Sequence, residues 1–162
     1  MRSALRNGIV RLRKKRDPED GEPVFQLGDP IKVVLGLHLE KPYKGLPVFM
    51  SVFGRWFPHL LDLDFVWAES KIDHIFPSSC DSTEANWVAW ESYLILNRPN
   101  LRAWRELQSF YELSVNCIPR TALIKTHLDN FEAKLGEHLI VLYWNAELPS
   151  APEPSILTAY FD

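Results

Sequence analysis

The chain has 162 residues, 46% of them hydrophobic and 24% charged, with a net charge of −3. One domain spanning 1–162 is the expectation at that length, with a core burying roughly two-thirds of the unfolded surface. No apolar run approaches the roughly 18 residues of a membrane span and no secretory apolar segment is present, so an intracellular location is the default.

The charge is unevenly placed. Residues 1–16 carry seven basic groups and no acid, including the patch Arg11, Arg13, Lys14, Lys15 and Arg16. The remainder holds 11 basic against 21 acidic groups, a balance of −10. Such a segment suits nucleic acid, an anionic surface or an organellar presequence. The alternation in Ile9-Val-Arg-Leu-Arg13 favours an edge strand over 8–16 guarded by positive charge, folded back by the turn Asp17–Pro23.

From Ile31 the odd positions Ile31, Val33, Leu35, Leu37 and Leu39 are apolar and most even ones are not, which predicts a strand over 31–40. Pro30 delays pairing until after it. Lys41–Gly45 is a turn, and Val48–Phe53 predicts a second strand over 47–54. Residues 55–135 contain no glycine, so this half uses longer loops or some helix. Leu61–Lys71 suits a strand, 77–83 is a loop, and 84–96 fits helix or strand. Leu101, Trp104, Leu107 and Tyr111 recur at helical spacing, predicting a short helix near 99–106 that runs into a strand over 110–117. His138–Trp144 and Ser155–Phe161 read as closing strands. Val33, Leu35, Leu37, Val52, Leu139, Val141 and Tyr143 are the predicted core.

The lead-in Phe25-x-x-Gly28-Asp-Pro-Ile31 with its alternating strand, the stretch Phe131–Gly136–Trp144 and the last strand together resemble an immunoglobulin-like β-sandwich. The resemblance covers about half the chain and implies a mainly β, two-layer fold with a long irregular or partly helical middle. Sandwiches mostly present loops for binding, so it implies no particular chemistry.

Among chemical motifs there is no P-loop, dinucleotide-binding glycine pattern, G-x-S-x-G or H-E-x-x-H. Asp73-His74 and His127-x-Asp129 each place a carboxylate near an imidazole, and Cys80 or Cys117 supplies a thiol for a Cys/His hydrolase. A His59/Asp62/Asp64 metal cluster is weighed against acids that simply face water. The two cysteines are too few for a disulfide framework and lack zinc-ligand spacing, so buried free thiols are expected, although pairing across the sandwich is open. Aromatics are the more informative group. Most should be core, but Trp56, Trp67, Trp87, Trp90 and Trp104 are candidate binding residues wherever they remain on a surface. The preferred reading is a non-enzymatic sandwich with a protein partner and no cofactor or metal. A glycan-binding module comes second and the Cys/His hydrolase third.

Overall fold

The computed structural model describes residues 15–16, 23–24, 27–40, 46–121 and 130–144. The side chains of 118–121, of 143 and of the four strand residues fall outside that description. Among these residues the fold is mainly α. In chain order the elements are β1 (Lys15–Arg16), β2 (Pro23–Val24), α1 (Asp29–Leu39), α2 (Pro47–Leu63), α3 (Phe65–Glu69), α4 (Ile72–Ile75), α5 (Glu84–Leu96), α6 (Leu101–Thr121) and α7 (Phe131–Trp144). No sandwich is present among them. The β-structure is one two-residue antiparallel ladder pairing Lys15 with Val24 and Arg16 with Pro23. Part of the predicted edge strand, Lys15–Arg16, is therefore paired, but with Pro23–Val24 and not with the region after Ile31, which is helical. Arg11, Arg13, Lys14 and the predicted strand 155–161 lie outside the described residues.

The central helix is α5. Its residues Ala85 to Leu94 are all buried. A helix enclosed all round carries no amphipathic stripe, which explains why 84–96 fits either period. The closest-packed pair is α2 with α5, and Gly54 makes it so. A Cβ built there would lie 1.8 Å from the Ala89 carbonyl oxygen, so only glycine admits this approach. The buried face of α2 reads Met50, Phe53, Gly54, Phe57, Pro58, Leu60 and Leu61, a helical period throughout. Pro58 lacks the amide that would bond to the Gly54 carbonyl, so the helix is weakened at the same level.

The expected strand over 31–40 is α1. Pro30 stands in its first turn, where a missing amide costs nothing. Leu35 is half-buried and Leu39 buried, while Val33, Val34 and Leu37 face outward. Apolar residues on both sides of a short helix imitate alternation. The strand over 47–54 is likewise the start of α2, with Pro47 in its first turn. Leu61–Lys71 spans the end of α2, α3 and the turn beyond. The short helix near 99–106 and the strand over 110–117 are one helix, α6, whose Ala103, Trp104, Leu107, Phe110, Tyr111, Ser114 and Val115 turn inward. Asn100 caps it, its side chain accepting from Ala103 N at 3.0 Å. The strand over 138–144 is the second half of α7, buried through Phe131, Leu135, His138, Leu139 and Leu142. Of the predicted core, Leu139 is buried, Leu35 half-buried, and Val33, Leu37, Val52 and Val141 exposed. The side chain of Tyr143 lies outside the described set.

Two polar devices set the connections. Asp64 caps α3 by accepting from Trp67 N at 3.1 Å, accepts from Leu27 N at 3.1 Å, and pairs with Lys32 at 2.7 Å. His38 at the other end of α1 lies against Phe49, ring centroids 4.8 Å apart. Lys32 thus meets the end of α2 and His38 its beginning, so the two helices form an antiparallel hairpin. Asn86 on α5 donates to the carbonyls of His74, Ile75 and Phe76, satisfying the open end of α4. The cysteines are not free thiols: Cys80 and Cys117 form a disulfide with a Cα separation of 5.6 Å, closing residues 80–117.

Candidate functional site

Two groupings bear on function, one enclosed and one open. The enclosed one joins α5, α6 and α7. The Tyr111 hydroxyl lies 2.8 Å from His138 Nδ1 and 3.3 Å from the Tyr93 hydroxyl, and His138 Nε2 lies 3.1 Å from the Asn97 carbonyl. A carbonyl only accepts, so the neutral ring carries its proton on Nε2 and turns Nδ1 to the Tyr111 hydroxyl. Burial lowers the His138 pKa, which keeps the ring neutral. Burial also pushes Tyr93 up to about 12 and Tyr111 well above the usual phenol range. Trp90 stacks on Tyr93 at 5.2 Å and meets Tyr111 edge-on at 5.0 Å, while Trp104 covers Tyr111 from another side. Tyr93, Tyr111 and His138 are all buried. The three groups satisfy one another's polar atoms where three helices meet.

The open grouping is the outer side of the α1–α2 hairpin. Both helices turn one side to the same core, through Leu35 and Leu39 on α1 and Met50, Phe53 and Phe57 on α2. On each helix the other side is solvent-exposed. On α1 it carries Val33, Val34 and Leu37; on α2 it carries Val48, Val52 and Trp56 in an i, i+4, i+8 row. Val48 is 73% exposed and Trp56 47%, values normal for charged residues and unusual for a row of apolar ones. The row ends in polar groups. The Arg55 guanidinium lies over the Trp56 ring at 5.9 Å, and His59 contacts the same ring at 5.1 Å. Among the described residues Arg55 has no acidic partner.

The five candidate tryptophans separate accordingly. Trp87, Trp90 and Trp104 are buried, Trp67 is half-buried against the core, and Trp56 alone of the five is open to solvent. Core packing has therefore taken three of the five rings away from any solvent-facing platform. The Cys/His hydrolase fails for another reason: both sulfurs are bonded to each other, so neither is a nucleophile. Asp73 and His74 sit exposed on α4, and His127 and Asp129 lie outside the described residues. The residues weighed as a metal cluster are dispersed: His59 on Trp56, Asp62 paired with Arg102 at 3.0 Å, and Asp64 turned inward. No group of His, Cys, Asp and Glu among the described residues is placed to hold a metal ion. No described helix is long and apolar enough to cross a membrane.

Sequence reasoning placed Val33, Leu37 and Val52 in the core and did not single out Val34 or Val48. A signal was present. Pro30 and Pro47 each precede an apolar run, the position proline takes at a helix start, and a helical projection of 29–39 shows apolar residues on opposite sides. Comparison with protein-family models, curated proteins and solved structures finds no match for the chain.

Proposed function

We propose that this helical bundle is a docking unit whose α1–α2 outer surface receives an amphipathic helix of a protein partner. The carrying observation is that α1 is apolar on both sides and that, among the described residues, only one side is covered. Apolar area left in water gives up roughly 25 cal/mol per Å² that burial would recover. An exposed apolar row at i, i+4 and i+8 on a helix is a surface onto which a partner helix packs by ridges and grooves. Trp56 and Arg55 at the end of the α2 row belong to the residue types that dominate binding energy at interfaces. The uncompensated guanidinium calls for an acidic residue at the matching end of the partner helix. The role is one of binding, with no catalytic step.

The test places a photo-crosslinking residue at Val34, Val52 or, as control, the exposed Gln108 on α6, in cells that make the protein naturally. The expected result is one polypeptide captured at 34 and 52 and not at 108, joined through an amphipathic segment with an acidic end. Val34→Glu and Val52→Glu should abolish capture and leave the melting temperature within a few degrees of wild type. The reading is overturned if both substitutions unfold the protein as core substitutions do, or if the captured material is lipid, nucleic acid or the chain itself.

A further inference from the structure

The two ends of the disulfide differ in exposure, although Cys80 also packs against the core. Cys117 on α6 is fully buried, whereas Cys80 is half-buried on the loop between α4 and α5. From Ser78 to Thr83 every residue is exposed or half-exposed. The hydrogen bonds of that segment are local: Ser82 Oγ accepts from Ser78 N and Ser79 N, each at 2.9 Å, and Thr83 caps α5 through Asn86. Among the described residues, the disulfide is the one bond tying 78–82 to a part of the fold outside 78–83. The base of the loop is held independently. Asn86 grips the carbonyls of residues 74–76, and Phe76, Pro77 and Ala85 are buried on either side. A loop closed at its base and bonded once at its tip opens without dismantling the helices beneath it.

We infer that Cys80–Cys117 is a reversible redox latch on the 78–83 loop, opened by a dithiol reductant that attacks at Cys80. One thiolate of the dithiol attacks the Cys80 sulfur, the more open of the two. The Cys80–Cys117 bond breaks, a mixed disulfide forms at Cys80, and the Cys117 sulfur leaves with the electron pair and takes up a proton. The second dithiol sulfur attacks the mixed disulfide and releases Cys80. The reductant ends as a cyclic disulfide, having supplied two electrons and two protons. The opened state holds a buried, inert thiol at 117 and an accessible one at 80.

Three measurements on the full chain test this. Intact mass after purification without reductant should show the protein two hydrogens lighter than after dithiothreitol. Hydrogen exchange in the presence of dithiothreitol should quicken by about tenfold or more in 78–83 and remain unchanged in α5 and α7. Iodoacetamide should modify Cys80 in Cys117→Ser at least about tenfold faster than Cys117 in Cys80→Ser. The inference is overturned by two alkylatable thiols in the untreated protein, by faster exchange throughout α5 and α6, or by equal modification of the two single variants. The exchange experiment on the unsubstituted chain decides the matter even where a serine variant does not fold.

Discussion

Replacing Gly54 with alanine is the sharpest probe of the helix pair at the centre of the fold. In an exposed helix interior, Gly→Ala stabilises by about 1 kcal/mol through backbone entropy. At Gly54 the added methyl would lie 1.8 Å from the Ala89 oxygen, 2.7 Å from its carbonyl carbon and 3.0 Å from its Cα. These are backbone atoms of the buried helix α5, with no flexible end to swing aside. Restoring van der Waals contact requires α2 and α5 to separate by more than an ångström, which loosens Met50, Phe53 and Phe57 together. Overpacking costs about 1–3 kcal/mol when side chains absorb it and more when backbones must move. A net loss of about 3 kcal/mol is expected, or roughly 6–12 °C in melting temperature for a chain of this size. Gly36 on α1 is the matched control, since its Cβ would meet nothing within 4 Å. Gly36→Ala should raise the midpoint by a few degrees. Thermal unfolding followed by circular dichroism at 222 nm reads both. A Gly54→Ala protein that melts with or above the wild type would refute the close approach of α2 to Ala89.

Asp64→Ala removes the cap of α3, orphans the Leu27 amide and frees Lys32, for an expected loss of about 2–4 kcal/mol in urea unfolding; Asp64→Asn, which retains an acceptor, should lose less. Asn86→Leu keeps the volume but leaves the carbonyls of 74–76 without their donor, for about 2 kcal/mol lost by the same assay. The buried network also predicts pH dependence on both sides of neutrality. His138 has a folded pKa below its unfolded value of 6.5, so the unfolded chain takes up the proton first, and its contribution is complete above pH 6.5 and lost as pH falls below it. Tyr93, raised from 10.0 to about 12, contributes fully below pH 10 and loses that contribution as pH rises from there towards 12. Urea midpoints measured at pH 5 and 7.5 should therefore fall further for wild type than for His138→Gln; equal falls would show that the ring is not buried neutral.

Part of this structure is legible in the sequence. The spacing of Trp104, Leu107 and Tyr111 marks a helix because α6 has one wet side and one dry side, and its apolar residues fall on a single stripe. The absence of glycine from 55 to 135 signals longer loops or some helix, and the described residues of that stretch take the helical alternative. Size and apolarity do not say which tryptophans are core: Trp87, Trp90 and Trp104 are buried while Trp56 and Trp144 are exposed. Elsewhere the local pattern points to the wrong period. Over five or six residues, periods of 2 and 3.6 select overlapping sets, and the apolar run His138–Trp144 carries no period at all. Helix wins there because α5 offers a fully enclosed axis around which α2, α6 and α7 pack, a fact of long-range assembly that no window of sequence contains. The same assembly decides that Gly54 meets Ala89, that Asp64 reaches Leu27 and Lys32, that Cys80 finds Cys117, and that Val33, Leu37 and Val52 face outward. Composition determines that these residues are apolar or polar; which of them meets water is settled only when the helices close on one another and leave one side of α1 uncovered.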